Sequence, residues 1–431
     1  MRILNNDTLK ANFFFSVILI LIPSPCFSSF FTLKNAIETA RKESPDIRSL
    51  RNQMYSAAAK KRQTLAPSEP SLSVTYNDLD SAFDVPNSGS TVYMLTQPLA
   101  FPGKALVNHA VASHQEKSIE FQLHAKELEV STNVETAYYN LALAEKNIEL
   151  NSEQKASYER ILAIAKRRYE SGAITQVDFL NAQIALYSNQ NDLLDLKAAE
   201  KTARAQLNTL LSLDVEAPTE VRKIEKVELK EPYKESEAQK KMFANRPEIQ
   251  SAHEQAQAID SSYTLAKMSF LPDFQLVAGT TNYNLAGASP LTAANPNSRE
   301  TYLLGVQATI PLWFFFNERE SIVAASHDSA SAEANVATLN NQSKVALETS
   351  LATLSALKSK IENYENHLLP LSEQSFNIAL VSYSSGKIDF QSLADTATSR
   401  RGVKKDYYNL IVNYLTGYAS LNQLLGEDIS D

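Results

Sequence analysis

Residues Tyr169 to Asp214 align without a gap on residues Tyr383 to Asp428 at a constant offset of 214, so the chain contains an internal duplication. Tyr169, Ser171, Gly172 and Ile174 recur as Tyr383, Ser385, Gly386 and Ile388, and Leu207-Asn208-Thr209-Leu210-Leu211 recurs as Leu421-Asn422-Gln423-Leu424-Leu425. Self-similarity of this extent decides the architecture ahead of any local assignment. Upstream, Pro45-Asp46-Ile47 answers to Pro247-Glu248-Ile249 and Pro70-Ser71-Leu72-Ser73-Val74 to Pro272-Asp273-Phe274-Gln275-Leu276, both at an offset of 202. Pro98-Leu99 answers to Pro311-Leu312 at 213. Offsets that hold within segments and jump between them describe fixed elements joined by loops of unequal length. The chain divides into an N-terminal segment 1–28, a first copy 29–214, a linker 215–234 and a second copy 235–428.

The N-terminal segment is of another kind. Arg2 and Lys10 precede an apolar run of about ten residues, Phe13 to Ile22, and Pro23 to Ser28 close it with small residues at Cys26 and Ser28. This is the pattern of a secretory signal cleaved after Ser28, and the run is too short to span a bilayer as a helix, which takes about 20 residues. A lipidated Cys26 is the alternative, disfavoured by Pro25 where a small residue is expected. Cleavage after Ser28 leaves no cysteine, so neither disulfides nor thiol chemistry contribute. No later segment holds 18 consecutive apolar residues, so any membrane crossing has to use strands. The net charge of −8 is interspersed along the chain, which argues against nucleic acid as a partner. Ten glycines in 431 residues suit long uninterrupted helices better than a loop-rich globule.

Each copy opens on a helix, Leu33 to Leu65 and Glu235 to Lys267, stopped by Pro67 or Pro272. A strand follows, at 70–79 and at 272–281. In the first, Leu72, Val74 and Tyr76 alternate with Ser71, Ser73 and Thr75, the period of two that gives a sheet one apolar and one polar face. Loops rich in Gly, Ser, Asn and Pro, Asp80 to Ser90 and Asn282 to Ser298, lead to returning strands at 91–99 and 301–312. Strands of about ten residues have the length that crosses a membrane when tilted. Aromatic residues Tyr93, Phe101, Tyr302, Trp313, Phe314, Phe315 and Phe316 sit near their ends; core aromatics of a soluble hairpin are the alternative reading. Four strands cannot close a barrel alone, and an open edge in lipid leaves backbone groups unpaired at several kcal/mol each. Either the strands pack on protein or several chains share one barrel.

Long helical stretches come next, Ala105 to Arg168 and Ser321 to Tyr383, with Pro370 the one internal proline. Ile119, Leu123, Val130, Val134, Ala137, Leu141 and Ile148 keep three-four spacing, the mark of a sustained helical seam. Roughly 60 residues at 1.5 Å each make about 90 Å of helix. The first ends in Lys166-Arg167-Arg168-Tyr169-Glu170-Ser171-Gly172, with basic residues against the C-terminal dipole and glycine at the left-handed stop. Thr175 and Asp178 then read as a capping box for a return helix, and Asp389 holds the equivalent start. Each copy is a helical hairpin projecting far from its strands.

The signal, the twin order of helix, strand pair and long helix, and the Tyr-x-Ser-Gly-x-Ile turns together resemble the outer-membrane efflux protein (TolC-like) family from Phe30 to Asp428. The resemblance implies a mainly α-helical protein with a transmembrane β part. It implies a homotrimer whose chains lend four strands each to one twelve-stranded barrel in outer-membrane lipid, and whose helices form a long hollow cylinder through the periplasm. It further implies an inner-membrane pump and a periplasmic adaptor protein docked at the hairpin tips, here Tyr169, Ser171, Gly172, Ile174, Ser385, Gly386 and Ile388. In such a channel a tyrosine three residues before the second-turn glycine bonds an aspartate six after the first, which carries over to Tyr383 and Asp178. An acidic constriction carries over to Ser392 and Asp395, while the basic residue that reinforces the gate is replaced by Ile388. A ring of Asp395 carboxylates favours cations in a narrow passage; plain capping by Asp178 and an exposed helix charge at Asp395 are the alternatives. Phe101-Pro102-Gly103-Lys104 resembles a turn of the family's heavy-metal-exporter branch, although His109, His114, His124, His253, His327 and His367 show no ligand spacing.

Chain order assembles no nucleophile with base and orienting group, no phosphate loop and no metal cluster, so neither enzyme nor cofactor is expected. The expected function is a passive exit duct of a tripartite efflux pump in the cell outer membrane. The exit duct of a type I protein secretion system shares the fold and is one alternative. A periplasmic coiled-coil adaptor or scaffold without a pore is the other, yet an adaptor normally carries one hairpin, and here two alternate with two strand pairs.

Overall fold

The computed structural model describes residues 29–79, 81–82, 84–224, 229–230, 233–283, 300–310 and 312–428. The expected signal over Met1 to Ser28 with Cys26, most of the second inter-strand loop and Pro311 lie outside these residues. The chain starts with a short strand, β1 (Ser29–Phe31). The opening helix of each copy is then two helices, which corrects the expectation of one: α1 (Leu33–Glu43) and α2 (Pro45–Gln63). The break comes from Pro45, whose ring pushes the preceding residue out of the helical region; Ser44 has ψ 124° and its side chain caps the backbone of Ile47. Proline at the first helical position then suits the restart.

Next come β2 (Ser71–Asn77) and β3 (Ser90–Leu99). The long hairpin is α3 (Lys104–Glu170), 67 residues and about 100 Å of helix, followed by α4 (Gln176–Leu210). The segment expected as a plain linker contains β4 (Thr219–Val221), which pairs in parallel with β1; three residues are too few to show a period. The second copy repeats the plan with α5 (Glu235–Asn245) and α6 (Pro247–Lys267), broken at Arg246 with ψ 114°. It continues with β5 (Asp273–Tyr283) and β6 (Glu300–Thr309). β6 stops short of the expected 312, as suits a chain whose proline at 311 has no N–H for a ladder. Leu312 to Asn317 form a turn in which Phe316 N donates to Trp313 O at 2.9 Å.

The second long hairpin is α7 (Glu318–Asn363), a π-helical turn at Tyr364–Leu368, α8 (Leu369–Ser384) and α9 (Phe390–Leu425). Its run from Glu318 to Ser384 matches α3 in length and register at the offset of 214, so the duplication extends upstream of the turns. Pro370 explains the π turn: its ring would collide with the carbonyl of Asn366, four residues earlier, and it has no N–H to return. Both return helices end on left-handed residues, Ser212 at φ 56° and Gly426 at φ 69°.

Strand order in the antiparallel sheet is β2-β3-β5-β6. The registers align Leu72, Leu95, Ala278 and Leu304 in one row and Val74, Tyr93, Thr280 and Tyr302 in the next, on the same face. That face is open to solvent in the single chain, Leu72, Tyr302, Leu304 and Val306 being exposed. The helices nearest the sheet lie side by side in the matching order α2, α3, α6, α7, and further away in the order α4, α3, α9, α8. The chain is one four-wide layer from sheet to hairpin tips. The main core, with Val134, Leu141, Leu207, Ile411, Tyr414 and Leu425, fills its middle, and a second cluster lies at the tips. The Phe101 to Lys104 turn braces sheet to helices: Phe101 N and Lys104 Nζ donate to Asp273 Oδ1 at 3.0 and 2.9 Å. Among the described residues no helix is long and apolar enough to cross a membrane.

Candidate gate and docking tips

Both hairpin turns are built the same way. Gly172 at φ 68° follows α3 and Gly386 at φ 78° follows α8. Ala173 N reaches back to Arg168 O at 2.7 Å and Lys387 N to Ser382 O at 2.9 Å, the six-to-one bond of a Schellman stop. Side chains then restart the helices. Thr175 Oγ1 accepts from Asp178 N at 3.2 Å while Asp178 Oδ2 accepts from Thr175 N and Oγ1 at 3.3 and 3.0 Å. In the second turn Asp389 Oδ1 accepts from Ser392 N at 2.8 Å. Tyr169, Ser171, Gly172, Ser385 and Gly386 are exposed at the tip, with Ile174 and Ile388 half-buried beneath.

The tyrosines break the symmetry. Tyr169 is 40% exposed and stacks on Phe179 at 5.5 Å, whereas Tyr383 is fully buried among Ile161, Ala165, Phe376, Phe390 and Leu393. The expected bond from Tyr383 to Asp178 is not made within the chain. Among the described residues the Tyr383 hydroxyl has no hydrogen-bond partner, while the Asp178 carboxylate caps its own helix start. Burial raises the Tyr383 pKa, the Arg168 charge lowers it, and the Asp178 charge raises it further, so the hydroxyl stays neutral with a carboxylate nearby.

Arg168 instead joins the two tips. Its Nη1 donates to the Tyr383 carbonyl at 2.6 Å and its guanidinium lies 4.9 Å from the Tyr383 ring centroid. The cation thus meets a helix C-terminal carbonyl and a ring face together, both favourable. A Cβ at Gly386 would stand 3.2 Å from Arg168 Nη2, so glycine keeps this approach open. The place of Arg168 in the sequence, at the end of α3, suggests only an interaction with the dipole of its own helix. The signal was in the alignment: its counterpart in the second copy is Ser382, so the arginine has no repeat equivalent.

Ser392 and Asp395 are exposed on the first turns of α9. Asp395 Oδ1 accepts from Gln391 Nε2 at 2.8 Å, and Ser392 lines a groove of about 490 Å³ with Leu371, Ile378, Ser382 and Ile388. Further from the tip Arg400, buried over the Phe376 ring at 4.0 Å, donates to Ser157 Oγ at 2.9 Å and Glu373 Oε1 at 3.2 Å. Arg401 pairs with Asp192 at 2.8 Å and Lys404 with Glu153 at 3.0 Å. A ladder of cations therefore ties the second hairpin to the first. Among the described residues no three His, Cys, Asp or Glu side chains are grouped to hold a metal ion.

A sheet with one apolar face and two open edges, set on a layer of helices about 100 Å long, defines a component of a channel wall. The chain belongs to the outer membrane efflux protein family, whose model matches residues 36–212 and 239–427. Among solved structures it is similar to the outer membrane protein VceC of Vibrio cholerae (18% identity, TM-score 0.77, covering 92% of this chain and 97% of that one). It is also similar to the CmeC outer membrane channel of Campylobacter jejuni (17%, 0.75, 93% and 87%) and to the open state of the Neisseria gonorrhoeae MtrE outer membrane channel (16%, 0.72, 92% and 89%). A sequence comparison with curated proteins finds no match. The protein is an efflux channel of the outer membrane, not an enzyme.

Proposed function

We propose that this chain is the exit duct of a tripartite efflux pump, passive in itself, with energy supplied by an inner-membrane pump through a periplasmic adaptor. Three copies share one twelve-stranded barrel, each giving the sheet β2-β3-β5-β6. The observation that carries this reading is the sheet itself. Its row of Leu72, Leu95, Ala278 and Leu304 is apolar across all four strands, and both outer strands need partners that only other copies supply. The helical layer extends the wall to the hairpin tips, where Tyr169, Ser171, Gly172, Ile174, Ser385, Gly386 and Ile388 offer the adaptor its docking surface.

The gate lies at the same tips. Asp178, Tyr383, Ser392 and Asp395 mark it, and Arg168 is its latch within each chain. Opening separates the second hairpin from the first, which breaks the Arg168 contacts to Tyr383. A ring of Asp395 carboxylates at the constriction selects for cations by its charge. The test is fractionation with accumulation of a fluorescent efflux dye. The protein should sediment with the outer membrane, and cells lacking it should retain dye; a chain found only in the soluble periplasmic fraction contradicts the reading.

A further inference from the structure

The arms of the second hairpin carry two weak points at one height. Pro370 stands sixteen residues before the turn glycine Gly386, and Gly402 stands sixteen residues after it. Equal counts on two antiparallel helices that meet at one turn mean equal distances from the tip, about 24 Å at 1.5 Å per residue. Each residue loosens its own helix. Pro370 has no N–H to return to the carbonyl of Asn366, and the π turn at Tyr364–Leu368 precedes it. Gly402 lies inside α9, where a Cβ would meet nothing within 4 Å among the described residues. No close approach therefore requires glycine at 402, and what it contributes is backbone freedom in a helix interior.

The first hairpin has neither weak point. At the offset of 214 the counterparts of Pro370 and Gly402 are Ala156 and Ser188, and α3 runs unbroken from Lys104 to Glu170. Near that level the first hairpin carries a clamp instead. Asn151 and Asn189 are 1% and 2% exposed, and each side-chain amide donates to the main-chain and side-chain oxygens of the other at 3.3 or 3.4 Å. A buried asparagine of this kind fixes the register of paired helices. The counterparts, Glu365 and Val403, cannot form such a pair. Glu365 instead accepts from the Tyr407 hydroxyl at 2.5 Å, on the side of the weak level away from the tip. On the tip side Arg400 holds the two arms of the second hairpin together: from α9 it lies over the Phe376 ring of α8 at 4.0 Å and bonds Glu373 at 3.2 Å.

We propose that Pro370 and Gly402 form a paired hinge, about which the segment between them swings as one unit while the first hairpin stays rigid. The contacts that this motion breaks are those of Arg168 with Tyr383, Arg400 with Ser157 and Arg401 with Asp192. The contacts beyond the hinge, Tyr407 with Glu365 and Lys404 with Glu153, stay made. The hinge locates the motion of the proposed gate and rests on that reading.

Hydrogen exchange of the full-length protein in lipid, read by mass spectrometry, tests it. Peptides over 364–371 and 399–406 should exchange about tenfold faster than their counterparts over 150–157 and 185–192, because opening of the hinge exposes their amides. Gly402→Ala, for which there is room, should slow exchange several-fold in both second-hairpin peptides, since the two weak points open together. A glycine that merely frays its own helix would affect 399–406 alone. Equal exchange in the two hairpins, or a Gly402→Ala effect that is absent or confined to 399–406, overturns the hinge. Ion current through the unsubstituted protein is recorded in parallel. Current with equal exchange removes the hinge and leaves the duct; coupled exchange without current removes the duct and leaves the hinge.

Discussion

At the residue scale, Arg168 and Tyr383 separate a bond that matters from one that is absent. Because the Tyr383 hydroxyl has no partner among the described residues, Tyr383→Phe should leave dye leakage and stability close to the parent. Arg168→Ala removes both a charge-assisted bond to a helix terminus and a cation over a ring, and should cost about 1–3 kcal/mol at the tip and raise leakage. Equal leakage from the two variants would contradict the latch. Glu135 makes a separate case. It is buried in α3, its Oε2 lacks a partner among the described residues, and burial raises its pKa from 4.5 to about 7, offset in part by Lys230. The folded state thus holds a proton that the unfolded chain has lost, so this group's contribution to stability falls as pH rises from 4.5 through 7. Glu135→Gln should raise the unfolding midpoint at pH 8, by an amount worth at most about 3 kcal/mol, with the gain gone at pH 4. A gain that persists at pH 4 would point to packing rather than charge.

At the scale of elements, the two turns share a backbone and differ in surroundings. Gly172 has open space where a Cβ would go, whereas Gly386 faces Arg168. Gly172→Ala should cost only the left-handed backbone term of about 1–2 kcal/mol. Gly386→Ala should cost more by urea unfolding and also raise leakage by displacing the latch; identical costs would remove the distinction. Elements were legible in the sequence where their signal is periodic. The alternation of Leu72, Val74 and Tyr76 and the spacing from Leu123 to Leu141 survive in β2 and α3. The breaks at Pro45 and Pro247 are present as letters but masked, because helical spacing continues on both sides. The pairing of β1 with β4 left no signal, being long-range and three residues long. At the tip the capping box was legible because it is local, while the Arg168 contact to Tyr383 joins residues 215 positions apart.

At the scale of the whole molecule, one chain is an incomplete wall. Its sheet ends in two open strands, its tip layer ends in two helices with exposed apolar residues such as Leu180 and Ile378, and the duplication makes the two edges equivalent in length. In the proposed duct, copies close these edges around a water-filled path sealed at the tips. Current across a planar lipid bilayer holding the purified protein tests it most directly. The parent protein should give discrete steps of small conductance that grow several-fold in Arg168→Ala and stay at the parent level in Tyr383→Phe. An absence of steps in every variant, with the protein inserted in the bilayer, would contradict it.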